Sequence, residues 1–459
     1  MNDFVSRLAA IVGPAGLVSG AALAGRPPGF GQHNLDADVL VRPADTAQVS
    51  AVLRLCHADG RPVVTQGGLT GLVDGAASRP GDLILSTERL NAIEAVDPLA
   101  LAMTVGAGAI LQTVQEEAER HGLFYPVDLG ARASCTIGGT IATNAGGMRV
   151  LRYGMTREAV LGLEAVLADG TVLSNLSSVI KNNTGYDLKH LFVGSEGTLG
   201  VVTRATLRLR PLPTTRQTAL VAVPSFAALA GLLNHMLAAS GGSLASFEAL
   251  WPSFYAYMCR HTNPGAPPLA LGQAYYAVIE ALGSDEAPDR VRFEAGLERA
   301  LGLGLVTDAV IAKSDDERRR LWRIRDDTML LERDYKAMVN FDVSLPIGRM
   351  EDYVADITRQ LAARFPRHDF FVFGHLGDGN LHFELCGEPL PRPEIETVER
   401  IVYDRLGEVG GSVSAEHGIG LEKKPYLSRS RGVPEIAAMR AIRRALDPKG
   451  ILNPGKLFD

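Results

Sequence analysis

The stretch that decides the fold is Thr65-Gln-Gly-Gly-Leu-Thr-Gly-Leu72, which directly follows an expected apolar strand at Pro62–Val64. A second glycine-rich stretch runs from Cys135 to Gly147, and a third runs from Lys181 to Val202. Rows of backbone N–H groups beside Thr and Asn side chains suit a diphosphate where positive charge is scarce. One such loop is usually only a turn, but three between residues 65 and 202 together predict a phosphate-binding region.

The composition supports a globular chain with a sizeable core. Its 459 residues contain 49 glycines, 46% hydrophobic residues and a formal net charge of −6, which predicts two or three domains. A chain without surplus positive charge is a poor nucleic-acid binder. The cysteines at 56, 135, 259 and 386 form no Cys-x-x-Cys pair, so we expect reduced thiols and a cytoplasmic location.

The N-terminal residues suggest a short amphipathic helix rather than an export signal, because Gly13 and Pro14 interrupt the apolar run. No stretch approaches the 18 or more apolar residues that a transmembrane helix requires.

Short apolar strands alternate with helical stretches from Asp38 to about Pro213, which is typical of an α+β segment. A prolyl linker at Pro211–Thr215 then leads to a helix at Ser225–Ala239, a strand at Gln273–Glu280 and a charged helix at Ser314–Asp334. The sequence therefore predicts a first domain over 30–213, a second domain over 214–410 and a helical C-terminal segment over 411–459.

Two familiar nucleotide motifs fail in this chain. Gly106-Ala-Gly108 follows a strand, but Leu111 replaces the third glycine of the dinucleotide fingerprint. The run from Gly450 to Lys456 resembles a phosphate loop, yet Leu457 replaces the hydroxyl residue that binds magnesium. A nicotinamide-binding domain and a phosphate loop are therefore not supported.

A hairpin is indicated by strands at Phe370–His375 and Leu381–Leu385 around Asp378-Gly379, the dipeptide of a two-residue type I′ turn. That turn pairs His375 with His382, which places two imidazoles on one face about 5 Å apart at Cβ. Polar histidines that merely line a hairpin are the alternative.

The glycine-rich run Ser414-Ala-Glu-His-Gly-Ile-Gly420 can add a carboxylate from Glu416 and an imidazole from His417. Two histidines and one carboxylate leave a metal coordination position open for substrate, and they suit zinc, Fe(II) or Mn(II).

The three glycine-rich runs resemble those of the vanillyl-alcohol oxidase/p-cresol methylhydroxylase flavoproteins, and more narrowly of the FAD-linked D-2-hydroxyacid dehydrogenases. The resemblance covers nearly the whole chain. It implies an α+β fold in which a two-subdomain FAD-binding domain is joined to a substrate domain with an antiparallel sheet and flanking helices. No histidine lies in the first loop, so noncovalent FAD is expected. The residues that the resemblance assigns to FAD are Gly67, Gly68, Leu69, Thr70, Gly71, Ser134, Thr136, Gly138, Gly139, Thr143, Asn144, Gly146, Val201, Val202 and Asn453.

The same resemblance implies roles in the second half of the chain. His375, His382 and Glu416 match the metal ligands, and zinc is favoured because flavin carries the electrons. Arg325 matches the arginine that binds the substrate carboxylate, a task for which a planar two-pronged donor is suited. His417 matches the general base, although a fourth metal ligand is the alternative for this residue.

The pattern departs from that of the D-2-hydroxyglutarate dehydrogenases at three positions, where Met329, Asn340 and Glu384 replace an expected Thr, Lys and Asn. A second substrate carboxylate would therefore lose its cationic partner. The sequence favours FAD- and metal-dependent oxidation of a D-lactate-like monocarboxylate to its 2-oxo acid, with hydride passing from C2 to flavin N5. D-2-hydroxyglutarate dehydrogenase and a glycolate oxidase-like subunit are the alternatives within the family.

We also expect a separate electron acceptor, which could be an electron-transfer flavoprotein, a quinone or a cytochrome and could bring the protein to a membrane surface. A homodimer is left open. Outside the family, a flavin-free metallohydrolase and a non-catalytic subunit of a larger complex compete with this interpretation.

Overall fold

A computed structural model of the chain describes residues 3–262 and 266–458. The chain divides into two compact units. Unit 1 contains the described residues up to Gly147, Gly154–Leu212 and the segment from Glu416 onward, and unit 2 contains Met148–Tyr153 and Pro213–Ala415. Across the described residues, no helix combines the length and apolar character that a bilayer crossing requires.

Unit 1 contains two larger sheets. In the four-stranded sheet, the first pairing is antiparallel and the other two are parallel, in the spatial order Leu17–Ser19, Val39–Val41, Leu83–Ser86 and Val63–Gln66. The five-stranded sheet is antiparallel throughout, in the order Ile93–Asp97, Ala102–Gly106, Val201–Arg208, Val160–Val166 and Val172–Asn175. A two-stranded ribbon pairs Arg210–Pro211 with Leu123–Phe124.

The helices of unit 1 are mostly short. The first, Asp3–Val12, buries Phe4, Leu8 and Val12, which confirms the expected amphipathic helix. The others are Ala21–Ala24, Thr46–Asp59, Leu111–Arg120, Ile137–Thr143, Thr156–Ala159, Lys189–Phe192 and Val433–Leu446, with 3₁₀ turns at Pro14–Gly16 and Lys424–Arg429.

The helix Thr46–Asp59 shows why local sequence predicts much of this unit. Asp45 caps its N-terminus by accepting a hydrogen bond from the Gln48 amide at 2.8 Å, and Gly60 ends it in the left-handed region at φ 62°. Val49, Val52 and Leu53 are fully buried, as their helical spacing predicts.

Unit 2 is built on one seven-stranded antiparallel sheet. Its spatial order is Asp308–Ile311, Thr215–Val223, Tyr275–Gly283, Leu244–Leu250, Asp369–His375, Asn380–Gly387 and Ala337–Ser344. Its helices are Val150–Tyr153, Phe226–Ala239, Pro252–Thr262, Glu286–Gly302, Asp315–Asp326, Met329–Asp334, Ile347–Arg364, Arg392–Tyr403 and Leu406–Val409.

The expected single helix over Ser314–Asp334 is wrong, because the structure has two helices, Asp315–Asp326 and Met329–Asp334. The break falls at Asp327 and Thr328, whose short polar side chains compete with the helical backbone hydrogen bonds. The first helix buries Leu321, Trp322, Ile324 and Arg325, so it directs an arginine into the unit rather than toward solvent.

All four cysteines are buried free thiols, two in each unit. Burial raises the pKa of Cys56 and of Cys135 to about 12 and that of Cys259 to about 11, and it also raises the pKa of Cys386.

Candidate active site

The first two glycine-rich loops of unit 1 lie against each other. A Cβ atom at Gly68 would come within 2.0 Å of the Ser134 backbone oxygen, and one at Gly67 within 2.3 Å of Thr136 Oγ1. Leu69 follows in the left-handed region at φ 55°. Backbone packing between the two loops therefore requires glycine at 68, and glycine at 67 leaves room for the Thr136 side chain.

The second loop leads into the short helix Ile137–Thr143. Thr136 caps it by accepting from the Gly139 amide at 3.3 Å, and a Cβ atom at Gly138 would meet Ala107 Cβ at 2.8 Å. Asn144 ends the helix at φ 50°. Its Oδ1 accepts from the Arg157 amide at 2.9 Å, which fixes the orientation of its side chain.

The third glycine-rich stretch, from Lys181 to Val202, places Glu196 beside the loop that carries Glu416 and His417. The carboxylate of Glu196 accepts from the amides of Ile419 at 2.7 Å and Gly420 at 2.8 Å. Burial raises the pKa of Glu196, although these amides act in the opposite direction. Glu196 therefore fixes the backbone just after the two half-buried residues Glu416 and His417.

Asn453 joins the same region of unit 1. Its Nδ2 donates to the backbone oxygens of Gly75 at 3.0 Å and Glu196 at 2.7 Å. Its Oδ1 and the hydroxyl of Thr65 are buried and have no hydrogen-bond partner among the described residues.

The remaining residues assigned to FAD are distributed around these loops. Thr70 and Thr143 are half-buried, Gly71 is exposed and Gly146 is buried. Val201 and Val202 lie in the strand Val201–Arg208 with exposures of 0% and 8%, and both contribute to apolar cores.

In unit 2, one face of the large sheet carries a compact polar cluster. Glu248 Oε2 accepts from Arg325 Nε at 2.7 Å, and Glu248 Oε1 lies 2.7 Å from His375 Nδ1. Arg325 Nη2 lies 3.1 Å from His375 Nε2. Burial opposes ionisation of Glu248, but contacts with His375 and Arg325 outweigh it and lower its pKa to about 2.

His382 belongs to the same face. The His375 and His382 rings have centroids 5.4 Å apart and are nearly perpendicular. Phe373 lies beside both His382, at a centroid distance of 5.2 Å, and the Arg325 guanidinium, also at 5.2 Å. The structure thus brings together the two predicted histidine ligands and the predicted carboxylate-binding arginine.

The predicted two-residue turn between these histidines is wrong. Phe373, not His375, is the register partner of His382. The 3₁₀ turn Leu376–Asp378 and Gly379, at φ 85°, together make a four-residue connection. Asp378 Oδ1 stabilises this wider turn by accepting from the Asn380 amide at 3.2 Å. Side chains alternate between the two faces of a strand, so lengthening the connection from two residues to four leaves both histidines on the same face.

Asp342 is fully buried, and it is the register partner of His382 on the adjacent strand. It accepts from Asn380 Nδ2 at 2.9 Å and from the Ala415 amide at 3.1 Å. Ala415 is the last residue of unit 2, and Glu416 and His417 follow it in the chain.

Glu384 lies two residues beyond His382, on the same strand face. Its Oε2 is buried without a hydrogen-bond partner among the residues that the structure describes. Burial and the charge of Glu332 raise the pKa of Glu384 to about 8. The neighbouring strand places uncharged Asn340 opposite it.

Family models match both halves of the chain. An FAD-binding domain matches residues 37–175, and the C-terminal domain of FAD-linked oxidases matches residues 212–457. The chain is 40% identical to the mitochondrial D-2-hydroxyglutarate dehydrogenase of Bos taurus over 422 residues, covering 92% of this chain and 76% of the relative. It is 41% identical to the D-2-hydroxyglutarate dehydrogenase of Xanthomonas citri, covering 91% of this chain and 88% of the relative.

The chain belongs to the FAD-linked D-2-hydroxyacid dehydrogenase family. This membership confirms the resemblance seen in the glycine-rich loops and makes the chain an FAD-dependent dehydrogenase. A provisionally named D-lactate dehydrogenase of Schizosaccharomyces pombe is a further relative, 33% identical over 97% of this chain and 88% of its own length.

Solved structures confirm the fold of this dehydrogenase. The p-cresol methylhydroxylase structure matches with a TM-score of 0.78 at 17% identity, covering 100% of this chain and 97% of that one. A 4-ethylphenol oxidase from Gulosibacter chungangensis matches with a TM-score of 0.74 at 17% identity, covering 99% of this chain and 96% of that one.

The residues of unit 1 fit FAD. Glycine at 68 lets two loops meet at backbone distance, while a Cβ atom at Gly71 would face open space. The buried and unpartnered Asn453 Oδ1 and Thr65 hydroxyl leave acceptor and donor capacity in the same region. These loops supply the close backbone approach and the polar groups that a dinucleotide requires.

Sequence reasoning missed three carboxylates of this dehydrogenase: Glu196, Glu248 and Asp342. Each acts by holding other residues in place, and each lies far along the chain from the groups that it holds. A signal exists for Glu248, because it is the one charged residue in the otherwise uncharged run Leu244–Leu250. A carboxylate in a buried strand requires partners, since its burial alone is costly.

Proposed function

We propose that this dehydrogenase oxidises D-2-hydroxy acids that carry a single carboxylate, such as D-lactate, with FAD and a divalent metal as cofactors. The observation that carries the proposal is Arg325, whose guanidinium is buried on the same sheet face as His375 and His382. A buried arginine beside imidazoles suits an anionic substrate whose hydroxyl group must lose a proton.

Each residue has a distinct proposed role. Arg325 binds the substrate carboxylate and orients the C2 hydrogen, and His417 accepts the proton of the hydroxyl group. FAD, when bound, would supply N5 as the acceptor for the hydride that leaves C2. Imidazole is suited to the base because its pKa lies near the working pH. Orientation and charge neutralisation by these side chains supply much of the rate enhancement.

The proposed metal ligands are His375, His382 and Glu416. The perpendicular imidazole rings of His375 and His382, 5.4 Å apart, fit two ligands of one ion. Asp342 accepts from the Ala415 amide, and this contact fixes the backbone immediately before Glu416. A metal at these ligands would supply a Lewis acid for the substrate hydroxyl group, and redox-inert zinc suits a reaction in which flavin carries the electrons.

The preference for a monocarboxylate rests on the residues near His382. Asn340, which faces Glu384 across the strands, is uncharged, and the charge that acts on Glu384 comes from another carboxylate, Glu332. A distal substrate carboxylate in this region would be desolvated without gaining a cation. Met329, at the start of the helix Met329–Asp334, adds no positive charge.

Oxidation of D-2-hydroxyglutarate is the second candidate function. It is favoured by the names of the Bos taurus and Xanthomonas citri relatives, which are 40% and 41% identical to this chain. Other residues would then have to bind the distal carboxylate.

Anaerobic mixing of the purified FAD-loaded protein with D- and L-2-hydroxy acids tests the reaction. We expect D-lactate to bleach the flavin absorbance near 450 nm faster than L-lactate, and a chelator to slow the bleaching. His417→Ala should abolish rapid reduction, whereas the control His121→Ala, an exposed histidine, should not. Unchanged absorbance with every D-2-hydroxy acid would exclude the proposal.

Substrate choice is tested by Asn340→Lys. Because the new ammonium would lie opposite Glu384, we expect kcat/KM for D-2-hydroxyglutarate to rise about tenfold or more relative to D-lactate. The control is Leu303→Lys, which adds the same charge at a residue that is 63% exposed. A wild-type protein that already prefers D-2-hydroxyglutarate would favour the second candidate.

We also propose that a separate electron acceptor reoxidises the flavin. Reduced protein mixed with a quinone analogue, with cytochrome c or with oxygen would distinguish the classes of acceptor by the rate at which the 450 nm absorbance returns.

A further inference from the structure

Glu248 occupies an unusual position for a carboxylate. It lies in the strand Leu244–Leu250, in which every residue is buried, and its own exposure is 0%. Removing an ionised carboxylate from water is costly unless hydrogen bonds and opposite charge compensate. Such a residue therefore depends on the groups that contact it.

Among the described residues, two side chains form hydrogen bonds with Glu248, and each contacts a different oxygen. Arg325 Nε donates to Oε2 at 2.7 Å, and His375 Nδ1 lies 2.7 Å from Oε1. The register places His375 directly opposite Glu248 on the adjacent strand, while the helix Asp315–Asp326 supplies Arg325. One side chain thus joins a strand neighbour to a residue 77 positions away.

These contacts determine which nitrogen of His375 carries its proton. An ionised carboxylate only accepts, so Nδ1 must be the protonated nitrogen and Nε2 retains its lone pair. Arg325 Nη2 lies 3.1 Å from Nε2, which agrees with Nε2 as an acceptor. A metal at Nε2 would use the same lone pair and would therefore replace this contact. Carboxylates that contact ligand histidines commonly select the tautomer and make the imidazole a stronger metal ligand.

The same carboxylate orients Arg325. Its contact with Nε fixes the plane of the guanidinium, and the Phe373 ring, 5.2 Å from the central carbon of that group, restricts it further. A fixed plane favours two-pronged recognition of a carboxylate.

We propose that Glu248 is the positioning residue of the active site, holding Arg325 in the orientation that binds the substrate carboxylate and His375 in the tautomer that binds metal. This inference rests on the proposed function of Arg325 and His375. It goes further because one carboxylate links substrate binding to metal binding.

The amide variant tests this link sharply. Glu248→Gln has nearly the same shape, but its side chain has one oxygen acceptor where the carboxylate has two. It can accept from Arg325 Nε or from His375 Nδ1, but its NH₂ group opposes the other donor. We expect zinc affinity to fall about 10- to 100-fold and KM to rise about tenfold, with Glu248→Asp showing smaller losses.

Glu280 provides the matched control. It is 3% exposed on the adjacent strand Tyr275–Gly283, and its Oε2 accepts from Thr218 Oγ1 and Trp322 Nε1, both at 2.8 Å. Glu280→Gln therefore removes a buried carboxylate from the same sheet without touching Arg325 or His375. Its zinc affinity and KM should stay within about threefold of wild type.

Zinc affinity is measured by competition with a chromophoric chelator, and KM by steady-state reduction of a dye. Equal losses in Glu248→Gln and Glu280→Gln would assign Glu248 a merely structural role and overturn the inference. Unchanged zinc affinity and KM in Glu248→Gln would overturn it as well. If Glu248→Gln does not fold, Glu248→Asp carries the same comparison.

The tautomer provides a readout that needs neither metal nor turnover. Spectra of ¹⁵N-histidine-labelled protein, with His375 assigned from the His375→Gln variant, should show protonated Nδ1 in wild type and a shifted population in Glu248→Gln. If wild type binds no zinc and oxidises no D-2-hydroxy acid, the proposed function fails. The tautomer of His375 then still decides whether Glu248 positions it.

Discussion

The two units build their binding regions from different parts of the polypeptide. In unit 1, the loops around Gly68 meet backbone to backbone, and the groups that approach each other are mostly main-chain atoms. In unit 2, the cluster of Glu248, Arg325 and His375 is made entirely of side chains from separate elements. A backbone-built region is sensitive to any added atom, whereas a side-chain cluster is sensitive to the geometry of its hydrogen bonds.

Gly68→Ala is expected to have the largest effect. A Cβ atom there would lie 2.0 Å from the Ser134 oxygen and 2.9 Å from Cys135 Cα, so backbone must move. We expect a loss of about 3 kcal/mol in the free energy of unfolding and little retained FAD. Thermal melting and the ratio of absorbance at 450 nm to 280 nm measure both effects.

Gly130→Ala is the control for this change, because a Cβ atom at Gly130 has no neighbour within 4 Å among the described residues. A Gly68→Ala protein that keeps wild-type stability and flavin content would show that the loops separate easily, which would contradict the first half of the comparison.

Arg325→Lys tests the side-chain cluster, because it keeps the charge and removes the planar fork. The ammonium cannot reproduce both the contact with Glu248 Oε2 and two-pronged recognition of a carboxylate. We expect KM for the hydroxy acid to rise about 10- to 100-fold, since hydrogen bonds to charged groups contribute about 1.5–3 kcal/mol. Arg323→Lys, an exposed arginine on the same helix, should leave KM unchanged.

Glu164→Gln tests a carboxylate of unit 1 that is fully paired. Burial opposes its ionisation, but Arg204, Thr46, Ser174 and Thr203 outweigh burial and lower its pKa to about 2. Because folding lowers the pKa of Glu164, its ionised carboxylate stabilises the fold at pH values above about 4.5, the pKa in the unfolded chain. This stabilisation disappears as the pH falls toward 2.

The Gln variant should therefore be about 2 kcal/mol less stable at pH 7, with the difference shrinking between pH 4.5 and pH 2. Urea unfolding at several pH values measures it. A difference that does not change with pH would mean that the carboxylate charge contributes nothing.

Glu384→Gln should have the smallest effect and the opposite sign. Burial raises the pKa of Glu384 to about 8, so the fold loses stability as pH rises from about 4.5 to 8. The neutral amide avoids this loss, and we expect a gain of about 1 kcal/mol at pH 8 that vanishes below pH 4.5. A variant less stable than wild type at pH 8 would show that the carboxylate has a stabilising partner.

The difference between the backbone-built loops of unit 1 and the side-chain cluster of unit 2 also explains how much could be predicted from the sequence. The glycine-rich runs predicted backbone that can approach another group closely, because glycine has no side chain. Which groups approach Gly67, Gly68 and Gly138 was not predicted. In the structure, Asp45 and Gly60 end the helix Thr46–Asp59 through local backbone geometry. The shared face of His375 and His382 was also predicted, although the turn between them was not.

Contacts between distant strands and helices could not be predicted in this way. Glu248 is joined to His375 and Arg325 across 127 and 77 positions by strand register and helix placement, which no local pattern encodes. Asp342, which holds Ala415 across 73 positions, was missed for the same reason.

The distribution of the buried thiols offers an internal probe of unfolding. Cys56 and Cys135 lie in unit 1, and Cys259 and Cys386 lie in unit 2. Because burial raises the pKa of each thiol, alkylation of the native chain should be slow at neutral pH. Pulse alkylation during denaturant titration, followed by peptide mass spectrometry, would therefore report the opening of each unit separately without any introduced label.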